Sequence, residues 1–285
     1  MIIDNLETLV EIKNDIKTAI EDAGGEITGG LITYADSIRY PVLLLPSGLK
    51  FHNSYNVADY DYSNYTDMSY MFWRELHDGS IPELTNVNLF GTSNVTNMRL
   101  MFYNTSIQNI NLFDTSNVTD FVGMFEGTPI SNIPMLDTQN GELMASMFMY
   151  TKISEFPKIK IHNAISISQI ARHCENLVSI PLLDGTNVQT ASYAFSDCPA
   201  LTTIAGVKNF GKNPNMTSNT ISYMFSLSSL ITEQSCINIF NNLYDRATAG
   251  YSIVNMSFEP EVIARLTDED IAIATNKGWA ITAIN

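Results

Sequence analysis

Four histidines, three cysteines and a few close-set carboxylates are the residues of this sequence that could do covalent or metal chemistry. His52, His77, His162 and His173 are scattered with no ligand spacing, so they read as surface or core side chains rather than a metal set. No C-x-x-C, H-E-x-x-H, G-x-S-x-G, phosphate-binding Walker loop or dinucleotide fingerprint occurs. Glu259 and Glu261, and the run Asp268-Glu269-Asp270, fall in or near the C-terminal segment, and a solvated, helix-starting role explains the latter run better than the facing carboxylates of glycoside hydrolysis. A noncatalytic chain with no metal and no cofactor is therefore expected.

Two further sets could act through contact. Tyr60, Tyr62, Tyr65, Tyr70 and Trp73 crowd one stretch among polar neighbours. Tyr62, Tyr65, Tyr70 and Trp73 form a candidate ligand surface whose rings could stack on sugars; equally, they could cover exposed core or line an oligomer interface. Cys174 and Cys198 stand three residues before Leu177 and Leu201, in adjacent repeats. Repeats pairing at about 4.8 Å would bring their α-carbons within disulfide range. The preferred reading is a column of small buried side chains with no bridge, aligned with Asn104, Gly127 and Tyr150.

What must position all of these is a repeat. Asn94-Val95-Thr96 followed by Met101-Phe102 returns 23 residues later as Asn117-Val118-Thr119 followed by Met124-Phe125. Seven imperfect copies run from residue 61. The turn element is Asp61-Tyr-Ser-Asn64, Gly91-Thr-Ser-Asn94, Asp114-Thr-Ser-Asn117, Asp137-Thr-Gln-Asn140 and Asp184-Gly-Thr-Asn187, side chains that fold back on nearby amides. Anchors three and four apart, such as Met98/Met101/Phe102 and Ala191/Ala194/Phe195, predict a one-turn helix in each copy. A short strand should follow, with Ile107/Ile110/Leu112, Ile130/Ile133/Met135 and Leu177/Ile180/Leu182 pointing inward. Such periodicity predicts an α/β solenoid whose units bury their apolar faces on one another and show a strand face rich in Asn, Thr, Ser and Gln.

Residues 1–45 read as a helical attachment or oligomerisation segment, residues 46–230 as the array, and residues 231–285 as its cap. In the first, a helix over 4–23 carries Leu9, Ile12, Ile16 and Ala19 at heptad spacing. They suit either an oligomer seam, with a trimer favoured, or packing on the same chain. In the last, helices begin at Thr232 and Thr267, and Gly278 ends the second. Asp and Glu outnumber Lys and Arg 30 to 15, a net charge of −15 with no basic stripe, which argues against nucleic acid and anionic membranes as partners. No apolar run approaches the roughly 20 residues of a membrane span. The first 15 residues lack the charge and apolar pattern of a secretory signal.

The repeat strings resemble the BspA-type leucine-rich repeats of bacterial surface proteins, whose units read D-x-S-N-V-T-x-M-x-x-M-F followed by L-x-x-I. Asp114–Phe125 matches with Phe121 in place of the first Met, and Thr267–Ala280 resembles the cap that closes such arrays. Ile12-Lys-x-x-Ile-Lys-x-Ala-Ile20 followed by Tyr34-Ala-x-x-Ile38 is similar to a short element of bacteriophage tail-fibre and baseplate proteins. Together these resemblances imply a leucine-rich-repeat-like fold and a noncatalytic virion protein: a tail or head fibre, or a baseplate-associated part. It would be mounted on other virion proteins through its N-terminal segment and would present its repeats to a host surface glycan or protein. The location implied is the virion. The alternatives are a bacterial cell-surface adhesin and a glycan-degrading fibre enzyme.

Overall fold

Three of the repeats begin where a carboxylate folds onto its own backbone. Asp114, Asp137 and Asp184 accept through Oδ1 from the amides of Ser116, Gln139 and Thr186 at 2.9, 3.1 and 3.1 Å. Behind each of the first turns a buried threonine reaches one unit ahead. The Thr92, Thr115 and Thr138 hydroxyls donate to the carbonyls of Asp114, Asp137 and Lys160 at 2.7–2.9 Å. Local turn chemistry and unit-to-unit attachment thus come from the same few residues.

The structure, a computed structural model, describes residues 65–72, 86–87 and 91–284, which lie in one unit, Leu49–Asn285. The expected N-terminal helices with Leu9, Ile12, Ile16 and Ala19, the resembling element of residues 12–38, and Tyr60, Tyr62, Trp73, His52 and His77 lie outside the described residues.

Successive repeats are joined in parallel. One ladder of bridges runs Asp67, Asn97, Asp120, Leu143, Ser166, Thr190. Two-residue strands pair in the same sense: β1 (Asn86–Val87) with β2 (Asn109–Ile110), β3 (Ser179–Ile180) with β5 (Thr203–Ile204), and β4 (Leu183–Asp184) with β6 (Val207–Lys208).

No one-turn helix follows the Asn-Val-Thr element. Between Met98 and Thr105 the chain makes three overlapping turns, with Met101, Tyr103 and Thr105 donating to the carbonyls of Met98, Leu100 and Phe102 at 3.1–3.3 Å. The alternate amides of Leu100, Phe102 and Asn104 donate instead to Val122, Met124 and Glu126 of the next repeat, at 2.8–3.0 Å. A helix would keep those amides for itself. The pattern requires left-handed backbone at two places per repeat, Leu100 and Asn104 here, Ser146 and Tyr150 two repeats on. Glycine takes both places at Gly123 and Gly127. For the others this costs roughly 1–2 kcal/mol each, offset by bonds that tie one repeat to the next.

Inside the stack the anchors Met98, Met101 and Phe102, and their counterparts as far as Met224 and Phe225, are buried. Phe72, Phe102, Phe125 and Phe148 stack ring on ring at 5.2–6.0 Å. The next repeat has Ala171 in that column. Phe156, from the chain leading into that repeat, fills the gap edge-on between Phe148 (5.7 Å) and Phe195 (5.4 Å), and the column resumes through Phe225 to Phe258.

The strand anchors are corrected at one position. Ile107, Ile130, Leu177 and Ile180 are buried and Ile110 and Ile133 half-buried, but Leu112, Met135 and Leu182 are 64%, 79% and 54% exposed. The residues after them, Phe113, Leu136 and Leu183, point inward instead. The two-residue strands β2 and β3 end before these positions, so their alternation is not carried that far.

A cap closes one end. α1 (Glu233–Asn242) starts at Thr232, whose hydroxyl accepts from Ser235, and ends where the Lys277 ammonium donates to the carbonyls of Phe240, Asn241 and Leu243. The five-residue strands β7 (Val254–Phe258) and β8 (Trp279–Ala283) pair in parallel. Between them lie α2 (Pro260–Ile263) and α3 (Asp268–Thr275), the latter opened by a reciprocal Thr267–Asp270 capping box. Trp279 is buried, stacks on Phe210 and donates to the Tyr244 carbonyl.

Cys174, Cys198 and Cys236 are free thiols, all buried. The pairing of Asn104, Gly127 and Tyr150 with their successors runs on to His173, so Cys174 aligns one residue later, with Thr105, Thr128 and Thr151. One extra residue lies between Cys174 and Leu177, so counting back from the leucine places the cysteine one position too early. The column is one of small hydroxyls and thiols that donate to main-chain carbonyls: Thr128 to Phe125, Thr151 to Phe148, Cys174 to Phe148, Cys198 to Ala171 and Ser228 to Phe195. Burial pushes the Cys174 thiol up to about 11 and Cys236 to about 12, and raises Cys198 in the same direction. These thiols stay neutral in the fold while they would ionise near 9 in the open chain. The stability they contribute is therefore complete below pH 9 and is lost as pH rises toward 11. Urea midpoints are expected to fall between pH 9 and 11, and a thiol reagent at pH 8 should modify no cysteine until denaturant is added.

Candidate functional site

The asparagine that ends each turn element is fixed by the unit before it. The side-chain Nδ2 of Asn117, Asn140 and Asn163 donates to the carbonyls of Ser93, Ser116 and Gln139, each at 2.7 Å. Asn187 breaks step with a 3.5 Å contact to Asn163 Oδ1, and Asn213, set differently in its loop, donates to the carbonyl of Asn187 itself at 3.2 Å. A buried residue comes next: Val118, Gly141, Ala164 or Val188. Two residues past each asparagine stands a second row, Thr119, Glu142, Ile165 and Gln189. Its main chain is locked by bonds from Glu142 N to Thr119 O, Ile165 N to Glu142 O and Gln189 N to Ile165 O at 2.8–2.9 Å.

The two rows are the walls of a shallow groove of ≈ 630 Å³, lined by Asn117, Thr119, Asn140, Glu142, Asn163, Ile165, Asn187, Gln189 and Asn213. None of these is Lys, Arg or His, and Glu142 is their one charged side chain. Such a surface can exchange many neutral hydrogen bonds. It offers no nucleophile with a base beside it.

Other side chains with chemical potential are committed elsewhere. Glu259 accepts from the Leu227 amide at 2.7 Å, and Asp268, Glu269 and Asp270 occupy the first turn of α3. His173 stacks on Tyr150 at 4.4 Å, with its Nε2 3.6 Å from Asp197. Arg172 pairs with Asp197 at 3.2 Å and lies over the Tyr193 ring, which stacks on Tyr223 at 5.2 Å. Among the described residues no three His, Cys, Asp or Glu side chains converge as a metal site would require, and no helix is long and apolar enough to cross a membrane. Tyr65 and Tyr70 are half-buried in the first described turn. Their proposed companions Tyr62 and Trp73 lie outside the described residues.

The groove was hidden in the sequence because asparagine makes turns wherever it occurs. Recurrence was the available signal: Asn117, Asn140, Asn163 and Asn187 keep one place while the preceding residues vary, and Asn163 follows His162 with no Asp-Thr-Ser element to announce it.

Two overlapping stretches, residues 47–152 and 74–177, match one family model. Its description is Mycoplasma protein of unknown function, DUF285. DUF285 is one of the BspA-like surface-repeat families. The match takes in the groove from Asn117 to Asn163 and stops before Asn187. No curated protein and no solved structure matches the chain.

Proposed function

We propose that the chain is a noncatalytic adhesive protein, a fibre or baseplate-associated part of a bacteriophage virion. Its array, a leucine-rich-repeat-like solenoid, would recognise a host surface through the asparagine-walled groove. The observation that carries the adhesive reading is the groove itself: one continuous polar surface built from equivalent residues of successive repeats. Its single carboxylate, Glu142, speaks for binding rather than glycoside hydrolysis, which uses two. The virion assignment draws on the resemblance of residues 12–38 to fibre and baseplate elements. In this reading residues 1–45 mount the protein on other virion proteins as a homo-oligomer, a trimer being favoured. Many copies on one particle then turn weak contacts into firm attachment.

A second reading, a bacterial cell-surface adhesin with the same array, is favoured by the DUF285 match and its kinship with surface repeats. The binding mechanism is shared, and the two readings differ in the particle that carries the chain. Labelled full-length protein is expected to bind some strains of a bacterial panel saturably, and the folded double variant Asn140→Leu/Asn163→Leu to bind them at least tenfold more weakly. Equal binding by both would remove the groove from the function. Antibody labelling of purified virions and of cell envelopes under the electron microscope then separates the carriers.

A further inference from the structure

We infer that the groove takes an uncharged, linear glycan laid along the stacking direction, with one sugar ring to each repeat. The inference rests on the adhesive reading above and names the ligand class for that groove. Its second row is joined repeat to repeat by main-chain bonds and its asparagine row by side-chain amides bonded to the unit before, so equivalent backbone positions, and in the first row equivalent amides, recur at about 4.8 Å along the groove. Because Nδ2 of Asn117, Asn140 and Asn163 is held by a 2.7 Å bond to the previous unit, each amide is fixed; Oδ1 of Asn117 and Asn140 remains to accept from a ligand, and Asn163 Oδ1 keeps a lone pair beside its long 3.5 Å contact from Asn187. A row of fixed acceptors suits a polymer that offers a hydroxyl donor at each step.

Three alternatives fit less well. An anionic polymer, whether nucleic acid or an acidic polysaccharide, would meet no lining cation, one carboxylate at Glu142, and a chain of net charge −15. An extended peptide along the groove would present equivalent side chains about every 6.6 Å, out of step with the repeats by the second one. An apolar ligand would leave the asparagine wall without partners. A hexose ring with its linking oxygen, by contrast, is close to one repeat in length, and Ile165 gives the C–H face of one ring an apolar contact between Glu142 and Gln189.

The test is calorimetry on the full chain with gluco-, manno-, galacto- and N-acetylglucosamine oligomers of two to six rings. Hyaluronate and a polar peptide of matching length serve as comparators. At least one neutral series should bind, with affinity rising ring by ring until the five asparagine positions are spanned and then levelling. Asn163→Leu should weaken it about tenfold or more. Gln189→Ala, on the opposite wall, should weaken it several-fold, and Glu142→Gln should leave it within about twofold. Melting curves of each variant confirm that it is folded. Failure of every neutral series, affinity independent of length, or stronger binding of hyaluronate or peptide would each overturn the inference. If cells still bind in an Asn163-dependent manner while neutral oligomers do not, the glycan class is wrong and the adhesive reading stands. If wild-type protein binds no cells, the adhesive reading itself fails.

Discussion

Arg246→Met is expected to lower the free energy of unfolding by about 3–4 kcal/mol, read as a lower urea midpoint at unchanged slope. Arg246 is fully buried, and among the described residues no carboxylate pairs with it. Its guanidinium is held by carbonyls alone. Nε donates to Ser252 at 3.0 Å, Nη1 to Gly211 and Asn213 at 2.6 and 3.3 Å, and Nη2 to Met216 at 3.3 Å. The Tyr251 and Trp279 rings lie over it at 5.3 and 5.9 Å. Methionine matches the stem but leaves four carbonyls without this donor, and a buried unsatisfied polar group costs about 1–3 kcal/mol. Those carbonyls belong to the loop within the last repeat, ahead of Ile221, and to the segment before β7, so the loss falls where the last repeat meets the cap. Arg246→Lys should recover less than half of it, because one ammonium cannot reach in three directions at once. A loss below about 1 kcal/mol for Arg246→Met would mean that water or a shifted backbone satisfies these carbonyls.

Phe156→Ala should cost about 3–5 kcal/mol, more than truncating the counterpart Ile180. Its ring stands where Ala171 leaves the phenylalanine column open, between Phe148 and Phe195. Ala171→Phe alone should cost about 1–3 kcal/mol by overpacking against Phe156. The double variant Phe156→Ala/Ala171→Phe restores one ring to the gap, so it should be more stable than the sum of the singles by about 1–3 kcal/mol. Strict additivity would show that the two sites do not share that space.

Much of the interior could be read from spacing. Met98, Met101 and Phe102 and their successors had to be buried, because large apolar side chains recur there while their neighbours vary. Thr232 and Thr267 mark the starts of α1 and α3 by cap chemistry that is local. What spacing could not decide was backbone conformation. Apolar residues three and four apart fit a helical turn, and they fit equally a chain of turns with left-handed residues. The choice fell to amides such as Leu100 and Phe102, which bond to the neighbouring repeat. Leu100, Ser146, Gln169 and Tyr193 carry no mark of a left-handed position; that conformation is imposed by the stack. Cys174 was misaligned for a related reason, since a one-residue insertion can be placed only when the pairing on both sides is known. The asparagine wall was visible as turn residues, and its role as a surface emerges only when the repeats lie side by side.

The bonds that fix Asn117, Asn140 and Asn163 reach back to the preceding repeat and no further. A gene coding such a chain can gain or lose a whole repeat by in-frame slippage during replication, and the remaining copies keep their contacts. Each event would lengthen or shorten the groove by one step without redesigning any of it. In the reading proposed above, such copying would act as a ruler, letting reach along a surface polymer be selected separately from the chemistry of each step.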